Sequence, residues 1–546
     1  MNHQLQPDQR HRVLLFSPFT GIWPHALSES QLVGQLPSDR FQVSVLNCGQ
    51  LFPQFCTVME FRGLPLLGQE ARKLNACKDC TAAARLIKQG SSSERSTAPL
   101  SEFAMPDDEL TVGQATSAVT RENFLEFQFR GLELGRIASY ESLIKYKKIS
   151  LALNDEEWEY LFETIKNCMR TAITGERYLN LHTPDSVLCY SPQYGVTGAF
   201  AALAISRGIT TYFVEGSANL AEKYSAVRVW DWQTYMLVNP ALDHWGNGED
   251  IADPSDEELA RLAAHFHTID IAQAHDVYSK SRRGLSTRRT FGVDENVHVL
   301  LLAMSSYDEV FSGAIIGGYP EFRHQSDVYV DQVAWVADTI EWARGRDDVC
   351  LIIRLHPRDF PNRRESVHAE QALQWDAMFE NLPANVKVDY PLDKFPLGDH
   401  LDEIDVLITG WSSTALEAMA KGIPVITYDA NLPRFPPSIH HSGITRMEYL
   451  ENLSRSTSLV RDPRIREGML KWLAYTYCRG TIRVPGRLMD RKPLITRPIV
   501  SRGFMGLNKF LPHFARKADL ALSGKTPDVE TLSTLLVWRK PSVYDL

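Results

Sequence analysis

The sequence DVLITGWSSTALEAMAKGIPVI, residues 405–426, is the clearest indication of the fold class. Its apolar start predicts a buried strand that ends at Gly410, and TALEAMAKG, residues 414–422, predicts a helix stopped by a glycine. IPVI then begins a second strand. A strand, a helix and a strand in this order are typical of parallel strands, because a parallel pair needs a long crossover that is usually helical.

Similar short apolar runs occur on both sides of this unit, and they alternate with helical patterns. Continuous apolar strands are typical of parallel sheets covered on both faces. The runs that predict strands are RVLLFSP (12–18), FQVSVLN (41–47), DSVLCYSP (185–192), ITTYFVEGS (209–217), VHVLLLAMSS (297–306) and VCLIIRLHP (349–357). The chain is therefore predicted to be an α/β protein with two Rossmann-like, doubly wound domains in series.

The pattern divides the chain into three parts. We predict an N-terminal Rossmann-like domain over 1–285 with a helical insertion at about 121–175, a C-terminal Rossmann-like domain over 286–460, and a basic extension over 461–546. The segment 89–120 is rich in Ser, Pro and acidic residues and predicts an exposed loop.

Charge and hydropathy exclude some functions. A net charge of −9 over 546 residues argues against a nucleic-acid-binding protein. The sequence has no apolar run near the roughly 20 residues that span a bilayer and no signal-peptide pattern, so we expect a cytoplasmic protein. The segment 461–525 holds fifteen Lys and Arg against four Asp and Glu. That excess predicts peripheral contact with an anionic surface such as the inner leaflet, although a solvated basic face would look the same.

Two predicted strands of the second half end in polar residues. Ligands of open parallel sheets bind beyond the carboxyl ends of the strands, and helix N-termini there bind phosphate. The candidates for a phosphate site are Arg354, His356 and Pro357 after one strand, Gly410, Ser412, Ser413 and Thr414 after another, and Ser305 and Ser306 after a third. Simpler alternatives remain open. Thr414 and Glu417 have capping-box spacing, a proline such as Pro357 is enough to terminate a strand, and an acidic partner would account for Arg354.

These motifs carry a family resemblance. RLHP, followed some 50 residues later by DVLITGWSSTALEAMAKGIPVI, resembles the donor half of GT-B glycosyltransferases. More narrowly, it is similar to capsule and surface polysaccharide biosynthesis proteins and to Kdo and sialic acid transferases. The resemblance implies a GT-B arrangement of the two domains. It also implies that His356, Pro357, Ser412, Ser413 and Thr414 hold the nucleotide phosphate and ribose, with Glu417 on the ribose hydroxyls.

The resemblance places the acceptor in the first half. His25 and Glu29 follow the first strand, where a GT-B catalytic base lies, and Glu215 ends another strand and is a second candidate base. Tyr194 is a candidate for stacking on a sugar ring, and His356 for protonating the leaving phosphate. We find no GxGxxG, Walker or Asp-x-Asp motif, so we expect no metal or other cofactor in catalysis.

Four of the eight cysteines lie close together in the sequence. Cys48, Cys56, Cys77 and Cys80 are able to hold a structural zinc or an iron–sulfur cluster as thiolates, and zinc is the expected metal. The alternative is four reduced thiols packed as small apolar side chains.

The resemblance implies a hexosyl or Kdo/sialyl-type glycosyltransferase. Such an enzyme moves a sugar from a nucleotide-activated donor, CMP-linked in the nearest group, to a surface polysaccharide or glycolipid acceptor. Three alternatives remain open: a CDP-alditol phosphotransferase, a nucleotide-sugar 2-epimerase, and a non-catalytic scaffold that binds nucleotide sugars. The sugar, the acceptor, the stereochemistry and the oligomeric state are not determined by the sequence.

Overall fold

The computed structural model describes most of the chain. The described residues are 10–34, 36–89, 96–232, 234, 240–246, 251–272, 277–316, 326, 328–362, 366–391, 395–432, 435–484, 516 and 528–545.

The described chain alternates strands and helices. The strands are β1 (His11–Phe16), β2 (Phe41–Asn47), β3 (Ser96–Pro99), β4 (Ser186–Tyr190), β5 (Thr210–Gly216), β6 (Ala226–Asp231), β7 (His298–Ala303), β8 (Val349–Arg354), β9 (Val386–Asp389), β10 (Val406–Thr409), β11 (Val425–Thr427) and β12 (Ile482–Arg483). The helices are α1 (Trp23–Gly34), α2 (Thr57–Phe61), α3 (Glu70–Gln89), α4 (Asp108–Thr116), α5 (Leu134–Lys145), α6 (Asp155–Leu181), α7 (Gly195–Ser206), α8 (Pro240–Gly246), α9 (Asp256–Asp270), α10 (Thr287–Phe291), α11 (Tyr307–Ile315), α12 (Gln332–Ala343), α13 (Ala372–Met378), α14 (Leu397–Glu403), α15 (Thr414–Met419), α16 (Arg446–Ser454), α17 (Pro463–Leu473) and α18 (Val529–Val537).

The first domain is built on a mixed sheet with strand order β12-β6-β5-β4-β1-β2-β3 among the described residues. The five strands β5, β4, β1, β2 and β3 run parallel to one another. Strand β6 pairs antiparallel with β5, and β12 pairs antiparallel with β6. The apolar run of β1 is buried because helices cover both faces of the sheet.

The second domain is built on a parallel sheet with strand order β11-β10-β7-β8-β9. All six residues of β8, including Arg354, are buried. The chain order reverses at β7, between β8 and β10, and ligands of such sheets bind at that switch point. The predicted fold class, α/β with two Rossmann-like domains, is confirmed.

The chain after residue 461 packs on both domains. Helix α17 places Met469, Trp472 and Leu473 in the core of the second domain. Strand β12 then pairs with β6 of the first sheet, and α18 packs against that sheet through Leu532 and neighbouring leucines. Half of the predicted basic extension lies outside the described residues, and the predicted domain boundaries stay predictions.

Residues 96–116 differ from the loop predicted for them. They form edge strand β3, a 3₁₀ turn at Leu100–Phe103 and helix α4. Leu100 and Val112 are buried in the first core, and Asp108 is fixed by Arg177. The loop prediction is therefore wrong here, because a few apolar anchors outweigh the polar composition.

The loop after α5 joins the two domains. The buried ammonium of Lys147 donates to the carbonyl oxygens of Arg358 at 2.5 Å and Val367 at 2.7 Å. Glu370 accepts from the Ile149 amide at 2.8 Å and from the Ser150 hydroxyl at 2.7 Å. These contacts hold the first domain against the segment that follows β8.

Membrane-spanning helices were sought in the same described residues. None of the helices there is both long and apolar enough to cross a bilayer.

Candidate functional site

Arg354 ends β8 and is held by an acid. Its guanidinium pairs with Asp389 on the neighbouring strand β9 and donates to the Phe395 carbonyl at 3.2 Å. Asp389 also contacts His400 Nε2 at 3.1 Å. The cation predicted for the phosphate site is therefore already engaged in a buried ion pair, which was the simpler alternative.

His356 lies two residues beyond β8, where Pro357 starts a 3₁₀ turn. Its Nδ1 accepts the Arg358 amide at 3.3 Å. Desolvation, and then the positive charge of Arg358, lowers the pKa of His356 to about 3. The imidazole is neutral at pH 7, and since Nδ1 accepts, Nε2 carries the proton and is the donor.

The turn after β10 is shaped by hydroxyl groups. The Ser412 amide donates to Thr409 Oγ1 at 3.3 Å, and the Ser412 hydroxyl donates to Thr414 Oγ1 at 3.1 Å. Helix α15 begins at Thr414, and Ser413 at the N-cap position makes no side-chain cap. The capping-box alternative is therefore not realised, and these hydroxyls stay candidates for ligand contact.

Glu417 and Gly410 flank this turn. Desolvation, and then the Asp270 carboxylate, raises the pKa of Glu417 to about 7, and the nearby Arg354 opposes the shift. A Cβ on Gly410 would lie 2.9 Å from a ring carbon of Tyr428. Packing against Tyr428 is thus sufficient reason for a glycine at 410.

The two serines after β7 have different surroundings. The Ser306 hydroxyl donates to Asp308 at 2.6 Å, and Asp308 in turn pairs with Arg358 at 2.9 Å. The Ser305 hydroxyl is buried and has no hydrogen-bond partner among the described residues. Ser305 is therefore the better donor for a ligand at this edge.

The first sheet presents a second polar edge. His25, in the first turn of α1, stacks on Tyr190 with ring centroids 4.0 Å apart and lies 5.8 Å from the Tyr224 ring. Glu29, one helical turn further, is buried and accepts from the Ser17 hydroxyl at 2.5 Å. Desolvation raises the pKa of Glu29 to about 8.

Glu215 and Tyr194 complete this edge. Glu215 pairs with Arg228 across β5 and β6 at 3.1 Å. Tyr194 immediately precedes α7, and its ring makes an edge contact with Phe19 at 6.2 Å between centroids.

Tyr477 connects the two edges. Desolvation raises its pKa to about 12, with Arg228 opposing the shift and Glu417 adding to it. Tyr477 thus lies near a cation of the first sheet and a carboxylate of the second. The structure therefore brings the donor candidates together at the carboxyl ends of the second sheet's strands, and the acceptor candidates together at those of the first sheet's parallel strands.

Comparisons with known proteins give likeness in architecture only. No family model and no curated protein matches the chain. Solved structures that resemble it include the beta Kdo 2,4 transferase KpsC of Thermosulfurimonas dismutans, with 14% identity, 57% of this chain and 88% of that chain covered, and a TM-score of 0.33.

Two further structures cover more of the chain. The UDP-GlcNAc 2-epimerase of Neisseria meningitidis bound to UDP-GlcNAc is 12% identical over 85% of this chain and 97% of its own, with a TM-score of 0.27. The calicheamicin glycosyltransferase CalG4 is 12% identical over 86% of this chain and 95% of its own, with a TM-score of 0.25. At these TM-scores the likenesses say nothing about the reaction that this chain performs.

Glu141, on α5 of the first domain, is a polar residue near the acceptor candidates that the sequence did not reveal. Its carboxylate accepts from the Gly195 amide at 2.8 Å and from the Thr57 hydroxyl at 2.9 Å, and it thereby holds the start of α7 beside Tyr194. Desolvation, and then the charge of Glu60, raises the pKa of Glu141 to about 7. No motif marks this residue, because its partners come from two distant segments, α2 and the start of α7.

The four clustered cysteines do meet in the structure. Cys48, Cys56, Cys77 and Cys80 line one pocket of the first domain, and all four are free thiols. Among the described residues, no group of three or more ligating side chains is arranged to hold a metal ion. The predicted structural zinc stays a prediction, which metal analysis of the purified protein would test.

Proposed function

We propose that the protein is a glycosyltransferase that moves a sugar from a nucleotide-activated donor to an acceptor hydroxyl. The observation that carries this proposal is the polar edge of the second sheet, where the buried Ser305 hydroxyl, His356 and the hydroxyls after β10 follow three neighbouring parallel strands. The donor binds the second domain and the acceptor the first, so that transfer takes place in the cleft.

Neutral donors and hydroxyls hold the donor nucleotide. His356 Nε2–H, the Ser305 hydroxyl and the hydroxyls of Ser412, Ser413 and Thr414 donate to its phosphate and ribose oxygens. Glu417 accepts from the ribose hydroxyls. The neutral imidazole of His356 stabilises the leaving phosphate by donating a hydrogen bond to it. Arg354 does not contact the phosphate, because it stays paired with Asp389.

His25 is the proposed general base. Glu29 is buried, and Glu215 is paired with Arg228, whereas His25 is only partly buried and is oriented by the stacked Tyr190 ring. An imidazole accepts a proton efficiently near neutral pH. Glu29 then acts below it as a positioning residue, and Tyr194 borders the acceptor.

The biological setting belongs to the same proposal. The motif resemblance supports a donor of the Kdo or sialic acid type and a surface polysaccharide acceptor. The basic composition of 461–525 supports a location at the cytoplasmic face of the inner membrane. Most of that segment lies outside the described residues.

Nucleotide binding tests the donor site. We expect one of CMP, CDP, UDP or GDP to raise the thermal midpoint of the wild-type protein, because a ligand of the folded state stabilises it. His356→Ala should reduce that shift by half or more. His267→Ala, on the exposed face of α9, is the matched control and should keep it.

The pattern of products separates the alternatives. Nucleotide release from a sugar nucleotide only when a saccharide acceptor is present supports transfer. Conversion of UDP-GlcNAc without an acceptor would instead indicate an epimerase, and turnover of CDP-glycerol alone an alditol phosphotransferase. If none of the four nucleotides raised the thermal midpoint, the proposed donor site would be contradicted.

A further inference from the structure

Arg516 is far from helix α1 in the sequence but is buried beside it. Its side chain is 4% exposed. Nη1 and Nη2 donate to the two carboxylate oxygens of Asp79 on α3, each at 2.9 Å, and Nη1 also donates to the Asp79 carbonyl at 3.3 Å. A two-pronged contact between a guanidinium and a carboxylate fixes both the position and the orientation of the arginine.

The same guanidinium lies over the aromatic ring that begins α1. Its central carbon is 5.4 Å from the centroid of the Trp23 ring. Trp23 is itself 4% exposed and shares an apolar cluster with Ala83 and Ile87 of α3. A cation over an indole ring gains most where water is excluded, as it is here. Arg516 therefore joins α3 to the first turn of α1.

The first turn of α1 also carries His25, two residues after Trp23. The His25 amide donates to the Ile22 carbonyl at 3.1 Å, so the histidine is part of the hydrogen-bonded turn. Its imidazole stacks on Tyr190, at the end of β4. The position of the imidazole relative to the first sheet is therefore set by where this turn is held.

The C-terminal part of the chain holds the other end of α1 as well. Leu532 and Leu535 of α18 belong to the same apolar cluster as Leu32 and Val33, which lie in the last turn of α1. The chain after residue 461 thus contacts α1 near both of its ends. Contacts at both ends fix a helix in direction as well as in place.

We propose that Arg516 is a positioning residue for His25. By joining Asp79 to the Trp23 ring, it holds the first turn of α1 where the imidazole meets the acceptor hydroxyl. The proposal rests on the proposed glycosyltransferase function, in which His25 is the general base. It gives Arg516 a task inside the molecule, separate from the lipid contact predicted for the basic segment.

Carbethoxylation of His25 tests this placement without any turnover. The full-length protein is treated with diethyl pyrocarbonate, and the modification rate of His25, which is partly exposed, is read by peptide mass spectrometry. We expect Arg516→Met to raise this rate about threefold or more, because the first turn of α1 opens more often when it is not held. The rate of the exposed His267 on α9 should not change.

Arg62→Met is the matched control. Arg62 pairs with the same Asp79 carboxylate from the end of α2, whereas the contact with Trp23 belongs to Arg516. Arg62→Met should therefore keep the wild-type rate at His25. An equal rise in both variants would mean that any loss of a cation from Asp79 loosens the fold, and it would overturn the specific role of Arg516.

A second substitution keeps the proposal testable if Arg516→Met does not fold. Arg516→Lys keeps a positive charge near Asp79 but removes the planar group that lies over Trp23. The lysine variant then decides alone. A raised rate at His25 supports the proposal, and an unchanged rate overturns it.

Kinetics separate positioning from a purely structural role. The assay uses CMP-sialic acid and UDP-GlcNAc as donors, and wild type and Arg516→Met are compared with the donor that wild type turns over. The variant should lower kcat about tenfold and leave KM for the donor within about twofold, because the donor binds the second domain. A lower thermal midpoint with unchanged kcat would show a structural role only and would overturn the proposal.

The two proposals fail separately. A raised rate at His25 in Arg516→Met, without nucleotide binding by the wild-type protein, would support the hold of Arg516 on α1 and contradict the glycosyltransferase. Transfer with equal kcat in wild type and Arg516→Met would support the glycosyltransferase and overturn the positioning role.

Discussion

Glu29 shows how one buried carboxyl group sets the chemistry of its surroundings. It lies one helical turn after His25 on α1, and its pKa of about 8 results from desolvation. The protonated carboxyl is the form that folding favours at neutral pH. A carboxylate there would face the cost of burial with the Ser17 hydroxyl as its one hydrogen-bond donor in the part of the chain that the structure describes.

Replacing Glu29 by Gln is therefore expected to stabilise the protein at alkaline pH. A carboxyl whose pKa is raised on folding contributes stability that is complete below its ordinary pKa of 4.5 and is lost as pH rises toward about 8. Gln keeps the neutral shape, so Glu29→Gln should be more stable than wild type by about 1–2 kcal/mol at pH 8.5 and equal to it at pH 4.5.

Thermal denaturation of both proteins across pH 4.5–8.5 measures this difference. Glu102→Gln, on a partly exposed 3₁₀ turn of the same domain, is the control and should show no such trend. A pH-independent gap between wild type and Glu29→Gln would mean that the carboxyl is not buried in its neutral form.

His356 marks the limit of what the sequence reveals about single residues. The His-Pro pair after an apolar strand was enough to predict a polar group at a strand end. That the imidazole is neutral was not predictable, because its low pKa depends first on desolvation by the surrounding fold and, besides the neighbouring Arg358, also on Lys147 from the first domain. The distant partners of Glu141 were hidden for the same reason.

At the scale of elements, apolar runs predicted most strands correctly. Each of the quoted runs coincides with a strand because burial on both faces of a sheet requires such a run. Edge strand β3 was not predicted, because an edge strand pairs on one side only and therefore tolerates Ser and Pro residues that do not form an apolar run. Arg354 was visible, but Asp389 on the next strand was not identifiable as its partner.

Removing the Arg354 cation should destabilise the second sheet. Arg354→Met leaves the carboxylate of Asp389 buried with His400 alone, and breaking a buried pair costs about 3 kcal/mol. Arg344→Met removes a surface pair with Glu341 in the same domain and should cost less than about 0.5 kcal/mol.

Thermal unfolding of the two variants and of Arg354→Met/Asp389→Leu measures the coupling between the two side chains. The double variant should recover part of the loss, because no unpaired charge remains. If Arg354→Met were as stable as wild type but bound nucleotide poorly, Arg354 would be a phosphate ligand and not a structural cation.

For the molecule as a whole, Lys147 links the arrangement of the domains to the donor site. It has a positive φ of 50°, a conformation that residues other than glycine rarely adopt. Its buried ammonium contacts the carbonyls of Arg358 and Val367, next to His356. The strain and the burial are maintained because this one side chain satisfies carbonyl oxygens of the other domain.

Lys147→Met should therefore loosen the contact between the domains and weaken donor binding together. The carbonyl groups of Arg358 and Val367 would lose a charged donor, and the turn that carries His356 would lose its support. We expect nucleotide affinity to fall about tenfold, equivalent to about 1.4 kcal/mol. Amide hydrogen exchange should increase in residues 355–362, and Lys166→Met, on α6 beside Glu163, should change neither quantity.

Faster exchange with unchanged affinity would show that the donor site does not depend on the domain contact. The reverse result would assign Lys147 a direct electrostatic effect on the bound phosphate, carried across the cleft without any change in how the domains are held.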